Sequence, residues 1–237
     1  MVNAVTAVNA NTIIVIMAGA PYDLNEIKKT NHAVVWSWFN GSEAGNALAD
    51  VLKGKINPSG KLPFTFPVSL KDSPAAALNT YPGKGGTAEY KEGILVGYRW
   101  YDTKKIEPEF PFGYGLSYTD FSINHFSADK SNYGKNETIR AKFTIKNTGS
   151  RYGAEVVQLY ISDPVCSVLR PEKELKGFKK IFLNPDETKI VELDVKVADL
   201  AFYDETKKGW NAEAGEYILQ LGNSSREISK TVKILVK

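Results

Sequence analysis

Two glutamates, Glu89 and Glu92, flank Tyr90 and are the carboxylates in this sequence that most resemble an acid/base pair. Such a pair works only where a shared pocket raises the pKa of one carboxyl and keeps the other ionised. Whether these two residues meet that requirement depends on the elements around them. The plainer interpretation is a salt bridge between Glu92 and Arg99.

A loop in the first part of the chain is the second place to look for chemistry. Residues 36–66 are typical of the end of a buried strand, a glycine-bearing loop, a helix, and a tight turn into an extended apolar segment. In an open α/β sheet, ligands bind beside the carboxyl ends of the strands. The loop that follows Trp38 and contains Glu43 is therefore a candidate binding site by its position.

Metal, redox and nucleic-acid chemistry have little support in the sequence. His32 and His125 are far apart and neither has a second ligand at a recognisable spacing, so we predict no metal and no cofactor. The single cysteine, Cys166, cannot form an internal disulfide and is interpreted as a half-buried loop residue. Thirty Lys and Arg against 27 Asp and Glu leave a net charge of +3 without a basic block, which argues against a nucleic-acid partner.

The sequence also argues against a membrane location. No apolar run approaches the length that spans a bilayer, and the N-terminus lacks the basic start and long apolar core of a signal peptide. We therefore expect a soluble chain without an export signal, and the compartment stays unknown.

The first domain, residues 1–72, is predicted to be part of an α/β layer. Apolar runs at residues 13–17 and 32–38 favour two parallel strands buried on both faces. A helical stripe from Glu43 to Leu52 follows, with Ser42 placed to cap its start and Gly54 to end it. These few helices cannot cover both faces of a parallel sheet. We therefore expect an upstream domain or a second copy of the chain to cover the open faces.

Residues 73–118 are rich in proline and glycine, which predicts an extended connection with little regular structure. Its apolar and aromatic middle, residues 93–102, is expected to pack as a fixed tether and not as a flexible linker. We predict that Tyr98, Tyr101 and Asp102 hold this tether to the domains.

From residue 119 onwards the apolar residues alternate with polar ones. Ile139, Ala141, Phe143 and Ile145 follow this period of two, and the same alternation recurs around residues 157–161, 191–195, 217–221 and 232–236. About seven short strands at this spacing predict an antiparallel β-sandwich over residues 119–237.

Several separate motifs in this order resemble the C-terminal half of family 3 glycoside hydrolases, the β-glucosidase group. The resemblance lies in residues 45–52, 57–63, 92–99 and 110–118, and residues 157–164 and 170–178 resemble the fibronectin III-like terminal domain of that family. The resemblance implies a fold of two parts: a partial α/β sandwich layer followed by a fibronectin III-like (immunoglobulin-like) β-sandwich.

The resemblance also implies an activity in a longer protein. Enzymes of this family are retaining and need two carboxyl groups, a nucleophile and an acid/base. Their nucleophile lies in a (β/α)8 barrel, and their acid/base glutamate precedes the segment that matches residues 2–11. Neither position is in this chain, so we assign it no catalytic residue, and the Glu89 and Glu92 pair has no barrel to form its pocket.

Two residues, Trp38 and Glu43, are predicted to face a bound sugar, and we call them the rim. Trp38 would form an aromatic wall, and Glu43 would provide a hydrogen-bonding group. Each has a structural alternative, since Trp38 can be a core residue and Glu43 can complement the helix macrodipole. The family pattern Pro-Gly-Gln-Glu-Gly-Gly is replaced here by residues 40–45, Asn-Gly-Ser-Glu-Ala-Gly. Trp36 is expected to pack against a helix.

Two functional hypotheses follow. In the first, the chain is the C-terminal part of a retaining β-glucosidase, acts on a β-glucoside or oligosaccharide only in the complete enzyme, and is not catalytically complete alone. In the second, it is a non-catalytic carbohydrate-binding or dimerising module.

Overall fold

The computed structural model describes residues 1–30 and 32–237. In the first part of the chain, two short parallel strands and three helices alternate. They are α1 (Val2–Thr6), β1 (Ile13–Ile16), α2 (Asn25–Lys28), β2 (Ala33–Trp36) and α3 (Ala44–Leu52). Strand β1 runs parallel to β2, with Ile13 opposite Ala33 and Ile16 opposite Trp36. The predicted α/β layer with parallel strands is confirmed.

The prediction that both strands are buried on both faces is wrong for this chain by itself. The side chains of Ile13 and Val34 are 49% and 39% exposed, and Met17 after β1 is 58% exposed. A continuous apolar run indicates a strand that is covered on both faces in the folded protein. The short helices α1 and α2 are too small to supply that cover.

Helix α3 begins two residues later than the predicted cap and ends where the sequence indicates. No side chain caps its start, so the predicted role of Ser42 is wrong, and Glu43 occupies the N-cap position. Gly54 ends the helix with a φ of +69°, in the left-handed region that glycine adopts without strain. Its backbone N–H donates to the carbonyl of Val51 (2.9 Å).

A 3₁₀ turn, Leu70–Asp72, precedes the connection, which contains two short helices, α4 (Pro74–Ala77) and α5 (Tyr98–Thr103). Leu95, Trp100 and Tyr101 are buried together in it. The indole Nε1 of Trp100 donates to the carbonyl of Asp72 (3.0 Å). The connection is therefore packed, as predicted for its apolar middle.

Residues from Phe121 onwards form the predicted β-sandwich. Its strands are β3 (Phe121–Ala128), β4 (Asn132–Tyr133), β5 (Thr138–Asn147), β6 (Gly153–Ser162), β7 (Glu174–Leu183), β8 (Thr188–Lys196), β9 (Phe202–Asp204), β10 (Gly209–Asn211), β11 (Gly215–Gly222) and β12 (Ile228–Val236). One sheet has the order β4-β12-β11-β6-β7 and the other β3-β5-β8, while β9 and β10 form a separate hairpin. All these neighbours are antiparallel except β4 and β12.

The core lies between the two sheets. Ile139, Ala141, Phe143 and Ile145 all point into it and are fully buried, as their alternation predicts. The facing sheet contributes Leu159, Leu219 and Leu221, also fully buried. This core is the larger of the two buried clusters, and the connection and the α/β layer both contact strands of the sandwich.

Candidate functional site

The loop after β2 carries the two predicted rim residues at the carboxyl end of the parallel strands. Ser37 extends the pairing by one step, since its backbone N–H donates to the carbonyl of Ile16 (2.8 Å). Trp38 then turns the chain with a φ of +55°, an uncommon conformation for a bulky side chain. Its half-buried ring stands edge-on to Phe64, with ring centroids 5.4 Å apart.

Trp36, the last residue of β2, packs against the loop residue Trp38 and against two other aromatic rings. Its ring packs edge-on against Phe66 (4.7 Å between centroids) and against Trp38 (6.0 Å), and at 45° to Tyr22 (6.3 Å). The sequence predicts a helix as the packing partner of Trp36, but these aromatic neighbours all lie outside helices. Trp38 is thus part of an aromatic cluster, in which edge-to-face pairs contribute stability beyond the area that they bury.

Glu43 lies on the exposed side of the same loop. One of its carboxylate oxygens accepts a hydrogen bond from the side-chain amide of Asn46 (2.6 Å). A negative charge at the N-cap position also interacts favourably with the helix macrodipole of α3. Phe39, between Trp38 and Glu43, is 77% exposed, so the loop presents an aromatic and an acidic group to the outside.

The other carboxylates singled out in the sequence have separate local roles. Glu89 is exposed and forms an ion pair with Lys91 (2.7 Å). The predicted bridge between Glu92 and Arg99 is wrong, because Arg99 contacts Glu174 of the β-sandwich instead (3.3 Å). Within residues 1–30 and 32–237, no hydrogen bond or ion pair joins Glu89 to Glu92.

The junction between the connection and the sandwich contains a buried carboxylate. Asp102, on α5, is 2% exposed and contacts Lys173 (3.1 Å) and the guanidinium of Arg226. Burial raises the pKa of Asp102, and the two cations offset part of that rise. The structure confirms that Asp102 anchors the tether, as predicted, and it identifies Lys173 and Arg226 as the partners.

Tyr98 and Tyr101 anchor the same junction, as predicted. The hydroxyl oxygen of Tyr98 accepts a hydrogen bond from the backbone N–H of Leu175 on β7 (2.8 Å). The ring of Tyr98 stands edge-on to the buried Tyr160 on β6, with centroids 5.7 Å apart. The carbonyl of Tyr101 accepts a hydrogen bond from Arg226 (3.3 Å).

Glu174 connects the junction to the start of β7. Burial disfavours its charge, but nearby Lys176, Arg170 and Arg99 together lower its pKa below the usual value. Arg170 also donates to the carbonyl of Leu200 (2.7 Å). The motif that contains Arg170 and Glu174 therefore holds the connection and the sandwich together.

A second group of contacts ties the turn after α3 to the end of the connection and to the sandwich. The side-chain oxygen of Asn57 accepts hydrogen bonds from the backbone N–H of Tyr118 (2.7 Å) and the hydroxyl of Ser117 (3.0 Å). Lys61 donates to the carbonyl of Gly115 (2.8 Å) and forms an ion pair with Glu155 on β6 (2.7 Å). The α/β layer and the sandwich are thus linked directly as well as through the connection.

One cluster of possible metal ligands has no signal in the sequence, because Glu213 lies far along the chain from the loop after β6 that holds Asp163 and Cys166. Ligand atoms of Asp163, Cys166 and Glu213 all lie within 4.8 Å of one another. Cys166 and Glu213 also line a cavity of about 460 Å³. Burial raises the pKa of the half-buried Cys166 thiol, and Glu213 accepts a hydrogen bond from the backbone of Ser167 (2.9 Å). His32 and His125 do not belong to this cluster.

In the part of the chain that the structure describes, none of the helices has both the length and the apolar character needed to cross a bilayer.

Two family models match the sequence. The glycosyl hydrolase family 3 C-terminal domain matches residues 1–118, and the fibronectin type III-like domain matches residues 155–225. The chain is 47% identical over 228 residues to thermostable beta-glucosidase B of Acetivibrio thermocellus, covering 96% of this chain and 30% of that protein. It is 45% identical to beta-glucosidase BoGH3A of Bacteroides ovatus, covering 98% of this chain and 31% of that protein.

Solved structures resemble the whole chain. The GH3 beta-glucosidase of Bifidobacterium adolescentis superposes with a TM-score of 0.93 at 37% identity, covering 99% of this chain and 34% of that one. The beta-glucosidase of Kluyveromyces marxianus in complex with glucose gives a TM-score of 0.92 at 40% identity, covering 100% of this chain and 28% of that one. The chain therefore spans about 30% of the length of the curated relatives it matches.

Proposed function

This chain belongs to glycoside hydrolase family 3, and from that premise we propose that it is the C-terminal part of a retaining enzyme that hydrolyses β-glucosides. The observation that carries the proposal is the superposition of nearly the whole chain on solved beta-glucosidases at TM-scores of 0.92 and 0.93. The two matched domains also follow each other in the same order. A β-glucoside or a related oligosaccharide is the proposed substrate of the complete enzyme.

The chemistry of retention limits what this chain contributes. A nucleophile and an acid/base must lie on opposite sides of one glycosidic bond, with their carboxyl groups about 5 Å apart. In the described ranges, Glu43 is exposed and bound to Asn46, and Glu89 is exposed and paired with Lys91. We assign no catalytic residue to this chain and place the two carboxyl groups in the barrel and in the upstream part of the α/β domain.

We propose that the chain forms one edge of the binding pocket and fixes the domains relative to one another. We propose Trp38 and Glu43 as a sugar-facing rim, because both lie in the loop at the carboxyl end of the parallel strands. The left-handed backbone of Trp38 and its contacts with Phe64 and Trp36 support a fixed orientation of the ring. We also propose 1–72, 73–118 and 119–237 as the domain boundaries.

The proposal predicts that the purified 237-residue chain does not turn over an aryl β-glucoside above the blank. A chimera in which this chain replaces the matching C-terminal part of the Acetivibrio thermocellus enzyme is expected to hydrolyse the same substrate, because the missing carboxyl groups are then present. Chromogenic assays of both proteins measure this difference. Hydrolysis by the isolated chain that is abolished by Glu43→Gln, Glu89→Gln or Glu92→Gln would overturn the proposal.

A second candidate function is a non-catalytic module that binds carbohydrate or dimerises. The observation that favours it is the exposure of apolar side chains on the α/β layer, including Ile13, Met17, Val34 and Phe39. If the module binds sugar through its rim, glucose is expected to change the tryptophan fluorescence of the chain, and Trp38→Ala is expected to abolish that change. Light scattering at several concentrations tests dimerisation, and a monomer at every concentration contradicts it.

A further inference from the structure

The rim loop contains a step that can react without any enzyme. Asn40 is followed by Gly41, and this is the only Asn-Gly step in the sequence. Both residues are exposed. An asparagine side chain can be attacked by the backbone nitrogen of the next residue, and glycine leaves that nitrogen accessible because it has no Cβ.

The space beside Gly41 is open. Gly41 has a φ of +71°, and no atom lies within 4 Å of the position that a Cβ would occupy there. None of the hydrogen bonds found among residues 1–30 and 32–237 uses the backbone N–H of Gly41 as a donor. The nucleophilic nitrogen is therefore not held by another group.

The leaving group has a proton source beside it. The side-chain nitrogen of Asn40 donates to the hydroxyl oxygen of Ser37 (2.6 Å), and Ser37 is 8% exposed. A serine hydroxyl can rotate and act as a donor as well as an acceptor. It can therefore supply a proton to the nitrogen as that nitrogen leaves as ammonia.

We propose that Asn40 is a site of spontaneous conversion to aspartate and isoaspartate in the folded protein. The backbone nitrogen of Gly41 loses its proton and forms a bond to the side-chain carbonyl carbon of Asn40. The bond from that carbon to the side-chain nitrogen breaks, ammonia leaves, and a five-membered succinimide remains. One water then opens either carbonyl of the ring, which gives aspartate or isoaspartate. Water enters and ammonia departs, with no oxidation or reduction.

A nearby asparagine provides an internal comparison. Asn46 is also exposed and its side-chain nitrogen also donates to a neighbour, the carboxylate of Glu43 (2.6 Å). It is followed by Ala47, whose backbone N–H is held in α3 by the carbonyl of Glu43 (3.0 Å). A nitrogen fixed in a helix and shielded by a Cβ cannot approach the Asn46 side chain in the same way.

The conversion would change the candidate rim. Aspartate adds a negative charge between Trp38 and Glu43, and isoaspartate adds one backbone methylene before α3. Either product removes the amide that donates to Ser37. The modification would therefore alter the charge and the shape of the loop whatever the function of the rim.

Mass spectrometry of the intact chain during incubation at neutral pH tests the proposal. Trypsin releases residues 30–53 as one peptide that contains both Asn40 and Asn46. The converted fraction is expected to rise with time at Asn40 and to lag several-fold behind at Asn46. Gly41→Ala is expected to slow the conversion, and Ser37→Ala is expected to slow it to a smaller extent.

Two results would overturn the proposal. One is equal conversion of Asn40 and Asn46 in the folded chain. The other is conversion of Asn40 in urea with none in the native protein, which would mean that the folded loop prevents the reaction. Because a residue with a Cβ is strained at the φ of Gly41, the Gly41→Ala variant is first checked for native folding by circular dichroism, and its rate is compared only if the fold is kept.

Discussion

Replacing Asp102 with alanine is expected to lower the free energy of unfolding by about 3–5 kcal/mol. The carboxylate is 2% exposed and is the shared partner of Lys173, itself 7% exposed, and of Arg226. Removing it leaves the buried Lys173 ammonium without its carboxylate partner and close to the partly exposed guanidinium of Arg226. Urea unfolding of the 237-residue chain, followed by circular dichroism, measures the change.

The control for this variant is Glu192→Ala on β8. Glu192 pairs with Lys142 (3.4 Å), and both side chains are more than half exposed. An exposed pair of this kind contributes about 0–1 kcal/mol, so the control is expected to unfold near the wild-type midpoint. Equal destabilisation by the two substitutions would contradict the role given to Asp102.

Replacing Gly115 with alanine is expected to destabilise the chain by about 1–3 kcal/mol, the usual range for overpacking a close contact. A Cβ at this position would overlap the backbone carbonyl of Gly60 and come within 3.1 Å of the Lys61 side chain. The turn and the connection must then separate. That separation would weaken the bond from Lys61 to the Gly115 carbonyl (2.8 Å).

The control for this variant is Gly60→Ala, on the other side of the same contact. No atom lies within 4 Å of the position of a Cβ at Gly60. Its unfolding midpoint is expected to stay close to that of the wild type, whereas that of Gly115→Ala shifts to lower urea. A larger loss of stability in Gly60→Ala than in Gly115→Ala would show that the two segments are not packed in this way.

The candidate site was predicted only in part from the sequence. The predicted strand and helix put Trp38 and Glu43 in one loop of the α/β layer, because that loop joins the end of the strand to the start of the helix. The predicted bridge from Glu92 to Arg99 joins residues that are close along the chain, and it is wrong. Arg99 lies on α5, which packs on the sandwich, and there it reaches Glu174.

Local sequence patterns predict only some of the ends of helices and strands. Gly54 was correctly predicted to end α3, because a left-handed residue is a strong requirement that glycine satisfies. Ser42 was not correctly predicted as the cap, because the helix begins one residue later than that role requires. The short strands β4, β9 and β10 have two or three residues each, too few to produce a detectable alternation.

The class of each part and the family follow from the amino-acid sequence alone. Alternation of apolar residues over long strands records which face is buried, and several motifs in one order identify glycoside hydrolase family 3. The ionic contacts of the domain junction, such as Asp102 with Lys173 and Arg226, and the cluster of Asp163, Cys166 and Glu213 depend on how the elements pack in three dimensions. Periodicity reports on neighbours within an element, whereas these contacts join residues that are distant in the chain and meet only after the elements have packed.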